Sequence, residues 1–246
     1  MNKVILSRPI LKEILSVTNT KNFHEFFIKT SLDNLMKRKI NTVLVLGANH
    51  VEAEGFIKYP FKKIVLSGIS PPDEKTKEIM NIDRRVSYVK LNMEKVSLPP
   101  KSFDLIFAKE ALHHVSRPIL AFYEMLRVAK KAIIFIEPQE SWFGNILNLF
   151  NLTSKYEKNQ FGNQKFRDNF VYRWRKKEIV KLLNSYYLES DYKVNFSSCW
   201  MSNRFNGKFP SLVKFFNLLG WLLSFIPGSN GNHLICAILP GKNLPN

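Results

Sequence analysis

The sequence predicts a three-layer α/β domain in which helices cover both faces of a seven-stranded, mostly parallel sheet. The first observation is a strand–loop–helix–strand unit over Ser102–Pro138, about the length that a βαβ crossover needs. Its two strands, Leu105–Phe107 and Ala132–Ile136, are apolar without alternation, as expected of a parallel sheet buried on both faces. Between them an apolar stripe with helical spacing is formed by Ile119, Phe122, Tyr123 and Leu126.

The second observation is that strand-like segments recur along the chain. Five further segments complete the predicted sheet, namely Thr42–Gly47, Lys63–Gly68, Val86–Leu91, Tyr192–Cys199 and His233–Leu239. Helices are predicted between them, including Asp73–Met80 and Trp174–Tyr187. In the central unit we expect Ser116 to cap the helix, with Pro118 in its first turn, where amide donors lack intrahelical partners.

The N-terminal segment, residues 1–40, is predicted to be helical and basic. Phe23, Phe26 and Phe27 form an apolar stripe that Leu32, Leu35 and Met36 continue. Two interpretations stay open for this segment: a helix that covers the core, or one that roofs a ligand cleft.

Composition restricts the class of protein. The chain has 246 residues, 45% of them hydrophobic, and its two cysteines, Cys199 and Cys236, imply no disulfide framework, so we expect a cytoplasmic protein. No apolar run is long enough to span a bilayer. The net charge of +17 indicates either an anionic partner, such as nucleic acid or a membrane surface, or lysines on solvated faces.

One stretch carries a family pattern. SFDLIFAKEALHHV (102–115) is followed by Glu124–Val128 on the helix and by an apolar strand that ends in Glu137-Pro138. This pattern resembles the second half of a class I S-adenosylmethionine-dependent methyltransferase of the type 11 kind. The resemblance implies a Rossmann-like fold with an antiparallel last strand, S-adenosylmethionine as cofactor, and methyl transfer. We expect one domain over residues 1–246, with residues 42–138 as the cofactor-binding core.

The resemblance also implies cofactor contacts at the carboxyl ends of the first four strands. The residues at these positions are Gly47, Ala48, Asn49, Gly68, Ile69, Asn92, Met93 and Lys109. Glycines are usual where Asn49 and Val51 stand, and an acidic residue is usual where Gly68 ends the second strand and where Val45 lies in the first. Asn49 is expected to tolerate a left-handed backbone, and Val51 to crowd the packing of strand against helix. Glu52 or Asp73 is a hypothetical replacement for the missing carboxylate.

Two adjacent histidines follow the fourth strand, where ligands bind in open α/β sheets. Neighbouring side chains in regular backbone point in different directions, so at most one of His113 and His114 is expected to meet substrate. We predict that His114 is the substrate contact or general base; the alternative is a histidine held only by a backbone partner. No residue spacing predicts a metal site.

Two aromatic-rich segments, 140–172 and 205–229, are predicted to be insertions that form a cap. Within the second, residues 209–227 are unusually apolar, with lysines at the start. This stretch is predicted to make a weak contact with a membrane surface, to form an apolar wall for a substrate, or to be buried in the core or a dimer contact.

The sequence therefore predicts methyl transfer from S-adenosylmethionine to a small or lipid-linked acceptor. We expect a cytoplasmic enzyme, located at the inner face of the membrane if residues 209–227 bind lipid. The main alternative is a non-catalytic methyltransferase-like protein that has lost cofactor binding, for which Asn49, Val51 and Gly68 argue. A nucleic-acid methyltransferase is disfavoured because Ala108–Ala111 stands where such enzymes carry an Asn/Asp-Pro-Pro-aromatic tetrad.

Overall fold

The computed structural model of the protein describes residues 6, 11–149, 156–157, 160–161, 164–165, 169–188, 191–201, 208–225 and 231–241. Its centre is a seven-stranded sheet. The strands are β1 (Thr42–Leu46), β2 (Lys63–Gly68), β3 (Val86–Lys90), β4 (Phe103–Lys109), β5 (Ala129–Pro138), β6 (Tyr192–Cys199) and β7 (His233–Pro240). They lie in the order β6-β7-β5-β4-β1-β2-β3.

All neighbouring strands are parallel except β7, which runs antiparallel to both β5 and β6. The predicted fold class, a Rossmann-like three-layer sandwich with an antiparallel last strand, is confirmed. Since β6 runs in the same direction as β5, the carboxyl ends of β1–β6 and the start of β7 share one edge of the sheet. We call this edge the carboxyl edge.

Helices cover both faces of the sheet. They are α1 (Leu11–Ser16), α2 (Thr20–Leu32), α3 (His50–Phe56), α4 (Glu74–Ile82), α5 (Pro118–Val128), α6 (Trp142–Leu149), α7 (Lys176–Tyr186) and α8 (Pro210–Leu223). Short 3₁₀ turns occur at Leu35–Lys37 and Leu112–His114. Two-residue strands pair Tyr156–Glu157 with Asn169–Phe170, and Gln160–Phe161 with Gln164–Lys165.

Each face of the sheet has its own apolar core, because successive side chains of a strand point to opposite faces. Val45 and Phe107 pack on one face with Phe27 of α2. On the other face Ile106 packs with Phe122 of α5 and with Trp174. This division explains why the central strands β1, β4, β5 and β7 are mostly apolar instead of alternating.

The helix of the central unit begins differently from the prediction. Arg117 occupies the N-cap position without a side-chain cap, and Pro118 is in the first turn as expected. The prediction that Ser116 caps this helix is therefore wrong. The Arg117 amide donates instead to Glu94 Oε1 at 2.8 Å, so a carboxylate from the loop after β3 satisfies this amide.

The N-terminal segment fits both interpretations that the sequence left open. Phe23, Phe26 and Phe27 of α2 are buried in the core, while His24 of the same helix faces the ligand cavity described below. Within the described residues, no helix is long and apolar enough to cross a membrane. Several aromatic residues of the predicted cap, including Phe150 and Phe166, lie outside the described residues.

Candidate active site at the carboxyl edge

A cavity of about 500 Å³ opens at the carboxyl ends of β1, β2, β3 and β4. Its size suits a small-molecule ligand. Every residue that the sequence assigned to cofactor or substrate lines it: Gly47, Ala48, Asn49, Gly68, Ile69, Asn92, Met93, Lys109 and His114. The fold therefore brings these residues together, and their contact with a cofactor stays a prediction.

Gly47 forms the turn that ends β1. Its φ of +66° is a left-handed conformation that favours glycine. A Cβ at this position would lie 2.7 Å from Ala111 Cβ, so there is also no room for a side chain. The turn thus keeps the backbone conformation and the close approach that a glycine provides.

Asn49 does not use the left-handed backbone expected of it. Its φ is −130° and ψ is −168°, which is extended, and it is the N-cap of α3. Its side chain accepts from the Val51 amide at 2.8 Å, and its own amide donates to Glu52 Oε2 at 3.1 Å, forming a capping box. Val51 is half-buried at the start of α3 and is outside both apolar cores, so the expected crowding does not occur.

Gly68 occupies the position where the resembled enzymes carry a ribose-binding carboxylate. A Cβ added here would lie 2.5 Å from the Tyr88 hydroxyl oxygen, and that hydroxyl donates to the Ser70 carbonyl at 2.7 Å. The Tyr88 hydroxyl therefore takes the space that a side chain at position 68 needs.

The two hypothetical replacement carboxylates, Asp73 and Glu52, both line the cavity. Asp73 accepts from the Thr76 amide at 2.7 Å and lies 2.9 Å from His50 Nδ1. Burial acts to raise the pKa of Asp73, but the hydrogen bonds from His50 and Thr76 outweigh it and lower the pKa to about 2. Asp73 is thus held ionised beside the loop that follows β2.

The end of the cavity near β2 and β3 is lined by neutral groups. Asn92 accepts from the Glu94 amide at 2.8 Å through its side-chain oxygen, and a second lone pair of that oxygen remains for a ligand. Met93 is buried beside it and offers a soft apolar surface suited to a ring. A flat, neutral group such as a nucleobase fits this end.

The end near β1 and β4 is charged. Lys109 has a side chain only 2% exposed, and its ammonium lies 3.1 Å from Glu52 Oε1 and 3.8 Å from Glu110 Oε2. It also contacts His24 Nδ1 from helix α2. Burial acts to raise the pKa of Glu52, but the contact with His24 and the charge of Lys109 lower it to about 2. The cavity wall therefore carries opposite charges side by side.

Glu110 continues this cluster with a left-handed backbone, φ +48°. Its Oε1 lies 3.3 Å from His233 Nε2, while His233 Nδ1 lies 2.9 Å from Asn232 Oδ1. Asn232 donates from Nδ2 to the Met201 carbonyl, which identifies Oδ1 as its oxygen. Both ring nitrogens of His233 thus face hydrogen-bond acceptors.

The two adjacent histidines differ in burial, although their ring centroids lie 4.2 Å apart, and which of them meets substrate stays a prediction. His113 is buried, and its Nδ1 lies 2.6 Å from Glu137 Oε2. Glu137 is fully buried and also accepts from the amides of Ala111 and Leu112, each at 2.8 Å. His114 is exposed and lines the cavity. Glu137 therefore fixes the backbone that presents His114.

A second cavity, of about 730 Å³, lies beyond β5 and is bordered by the start of α7. Its lining includes four basic residues, Arg173, Arg175, Lys177 and Lys181, and two acidic ones, Glu140 and Glu178. Arg175 forms an ion pair with Glu140, so part of this charge is neutralised within the protein. Among the described residues, no group of three or more His, Cys, Asp or Glu side chains is arranged to hold a metal ion.

Three residues that line or border the cavity had no signal in the sequence. His24 lies in the N-terminal helix and His233 at the start of β7, far along the chain from Lys109. In the sequence Tyr88 is an ordinary strand residue, but in the structure its hydroxyl donates to the Ser70 carbonyl in the loop after Gly68. These side chains reach the cavity because elements distant in the chain pack together, and local sequence patterns do not predict that packing.

Comparison with known proteins agrees with this geometry. The family model described as "Methyltransferase domain" matches residues 57–136. The match begins after the turn formed by Gly47, Ala48 and Asn49, where the chain departs from the usual glycine pattern. A search of curated proteins finds no significant match.

Solved structures share the fold at low sequence identity. The methyltransferase domain of bacterial CtHen1 is 16% identical, with 87% of this chain and 97% of that chain covered and a TM-score of 0.55. The putative methyltransferase bound to the Trm112 activator in Haloferax volcanii is 11% identical, with 97% and 100% covered and a TM-score of 0.57. The YcgJ protein of Bacillus subtilis is 14% identical, with 86% and 98% covered and a TM-score of 0.54.

The chain has the sheet topology of these methyltransferase domains, and over residues 57–136, about a third of its length, its sequence matches the "Methyltransferase domain" family model. The cavity at the carboxyl edge fits S-adenosylmethionine, because one end is neutral and partly apolar while the other carries paired charges. S-adenosylmethionine has the same division into a neutral end and a charged end, because it is a nucleoside joined to a zwitterionic amino acid.

Proposed function

We propose that the protein transfers the methyl group of S-adenosylmethionine to a lipid-linked or otherwise amphipathic acceptor, with His114 as substrate contact and general base. The observation that supports the proposal is that two features lie at the same edge of the sheet. The two-ended cavity lies there, and so does helix α8, which joins the end of β6 to the start of β7 and exposes apolar side chains.

Different residues would bind the two parts of the donor. Asn92 and Met93 would hold the nucleoside, with Gly68 and Ile69 along its edge. Lys109 would attract the carboxylate of the amino-acid part, and Glu52 its ammonium. When bound, S-adenosylmethionine supplies an electrophilic methyl group on a sulfonium, so the protein mainly aligns the acceptor and excludes water.

In this proposal His114 accepts the proton that the acceptor loses. Its ring lies on the cavity wall, and its backbone is anchored through the hydrogen bonds that Glu137 accepts from Ala111 and Leu112. An acceptor oxygen or nitrogen that gains a methyl group must lose its proton, and an unprotonated imidazole near neutral pH can accept it. A substitution of His114 should therefore slow turnover more than it weakens donor binding.

The first experiment is a calorimetric titration with S-adenosylmethionine and with S-adenosylhomocysteine. We expect saturable binding to the wild-type protein, binding lost in Gly47→Val, and binding within about twofold of wild type in His114→Gln. If millimolar ligand gives no heat and no shift in Tm, the alternative of a non-catalytic methyltransferase-like protein is correct. In that case the proposal fails.

The acceptor class needs a second experiment, with S-adenosylmethionine tritiated in the methyl group. The enzyme is incubated separately with a chloroform-soluble extract and with a water-soluble extract of its source cells. Label that enters the chloroform phase, and is reduced at least tenfold in His114→Gln, supports the proposal. Label found only in water-soluble products contradicts the lipid-linked acceptor and leaves a small-molecule acceptor.

A further inference from the structure

Helix α8 has an apolar outer face. Six large hydrophobic side chains of the helix and its C-terminal turn are 40–59% exposed: Leu212, Phe215, Phe216, Leu219, Leu222 and Phe225. Phe209, just before the helix, is 58% exposed. An exposed apolar patch of this kind marks a site of contact with a protein, a ligand or a membrane. We call these seven residues the α8 face.

The inner side of α8 fixes which way the helix faces. Val213, Asn217 and Gly220 are its buried residues. Asn217 Nδ2 donates to the Val17 carbonyl at 3.0 Å, and Gly220 packs directly against Trp200. A helix on the surface of a globular protein normally buries its apolar stripe and exposes its polar residues. Here a polar amide and a glycine point inward, so the outward apolar face is built into the packing.

Within the segment from Lys208 to Phe225 the charges have one sign, while helix α1, which packs against α8, carries Lys12 and Glu13. Lys208 and Lys214 are exposed, and the sequence has no acidic residue from Lys208 to Phe225. The chain as a whole carries a net charge of +17. Anionic lipid headgroups complement this charge, whereas a second copy of the same chain would bring like charges together.

The dimensions of α8 exclude a membrane span and suit an interfacial position. The helix has 14 residues, which corresponds to about 21 Å, shorter than the apolar core of a bilayer. Trp221 is half-buried and packs its ring against Phe225 at 4.7 Å. Large apolar residues on one side with lysines at the flank are typical of helices that lie in the headgroup region.

We propose that the α8 face docks the enzyme onto an anionic lipid bilayer, with α8 parallel to the surface. Because α8 lies at the carboxyl edge, docking brings the edge that holds the cavity toward the lipid. The interpretation that residues 209–227 are buried in the core does not hold for the α8 face, whereas an apolar wall for a substrate and a dimer contact stay predictions. The α8 face is exposed, and none of its residues lines that cavity. This inference deepens the proposed function, since a docked enzyme suits a lipid-linked acceptor.

The test is flotation of the full-length protein with two kinds of vesicle. One contains phosphatidylcholine only, and the other contains phosphatidylcholine and phosphatidylserine. We compare wild type with Phe215→Ser/Leu219→Ser, which removes two apolar contacts, and with Lys208→Glu/Lys214→Glu. The matched control is Ile82→Ser, because Ile82 is 84% exposed in α4 at the other end of the sheet. Unchanged Tm and unchanged binding of S-adenosylhomocysteine show that a variant is folded.

We expect wild type and Ile82→Ser to float with the anionic vesicles. Both double variants should bind these vesicles at least about tenfold more weakly than wild type. Equal binding by all four proteins, or wild-type binding that does not depend on phosphatidylserine, overturns the inference. Light scattering tests the competing occupant. A wild-type dimer that Phe215→Ser/Leu219→Ser converts to a monomer, without vesicle binding, assigns the α8 face to self-association.

Failure of the docking inference and failure of the proposed function are distinguishable. Vesicle binding is measured without any acceptor, so docking stands or falls independently of methyl transfer. Vesicle binding without methylation of the chloroform-soluble extract contradicts only the lipid-linked acceptor. Methylation of that extract by a protein that never floats contradicts only the docking.

Discussion

Glu52→Gln tests the charged end of the cavity, because Glu52 joins the capping box of α3 to Lys109 and His24. The substitution keeps the shape of the side chain and an oxygen that can accept from the Asn49 amide, but it removes the negative charge. Lys109, whose side chain is 2% exposed, then loses the carboxylate that lies 3.1 Å from its ammonium. We expect a clear loss of folding stability at neutral pH.

The magnitude follows from the pKa of Glu52, which is about 2 in the folded protein against 4.5 for the unperturbed group. At about 1.4 kcal/mol per pH unit, this difference stabilises the folded state by about 3 kcal/mol at neutral pH. The folded pKa is lowered, so the stabilisation is fully present above pH 4.5 and is lost as the pH falls toward 2. Wild type and Glu52→Gln should therefore converge in stability across this range.

The assay is urea unfolding at a series of pH values between neutral and about pH 3, the range in which the effect of this carboxylate declines. Glu54→Gln is the control, because Glu54 lies in the same helix but its side chain is 41% exposed and pairs with Lys21 at 3.5 Å. The control should differ from wild type by less than about 1 kcal/mol. A Glu52→Gln protein as stable as wild type at pH 7, or one whose deficit is the same at pH 3, refutes the reasoning.

Three more substitutions test the walls of the cavity. Gly47→Ala forces a side chain into a left-handed backbone against Ala111, so unfolding in urea should show a loss of roughly 1–3 kcal/mol and calorimetry should show weaker binding of S-adenosylhomocysteine. Glu137→Ala leaves several buried donors without their acceptor and should cost about 3–5 kcal/mol in the same unfolding assay; a loss below about 1 kcal/mol would show that the loop is held by other contacts. Gly68→Asp should bind the donor no better than wild type, because the Tyr88 hydroxyl blocks the position. The double variant Gly68→Asp/Tyr88→Phe should bind the donor at least about tenfold more tightly than Gly68→Asp, as measured by calorimetry. Equal affinity of the two variants would contradict the blocking role of Tyr88.

The departures at Asn49 and Gly68 from the residues usual in the resembled family have different structural consequences. At Asn49 the chain replaces backbone freedom with a helix cap, which satisfies amides at the N-terminus of α3. At Gly68 the missing carboxylate coincides with a tyrosine hydroxyl that fills its space. The first change preserves the turn. The second alters the chemistry offered to the donor, so the binding of S-adenosylmethionine is the measurement that decides between the enzyme and its non-catalytic alternative.

Much of the fold was predictable from local pattern. Apolar runs without alternation predicted the central strands, since a strand buried on both faces needs apolar residues at every position, whereas the edge strands β3 and β6 have a mixed sequence and are only partly buried. The positions of Gly47, Asn92 and Lys109 at strand ends followed from those runs, and so did their meeting at one edge.

Other features depend on contacts between distant parts of the chain. His24 and Lys109 are 85 positions apart, and Asn217 and Val17 are 200 apart, yet both pairs are in contact in the folded protein. Sequence alone determined that residues 209–227 form an apolar segment. Only the tertiary structure decided that α8 turns its polar amide inward and its apolar face outward, because the packing of Gly220 against Trp200 sets the rotation of the helix.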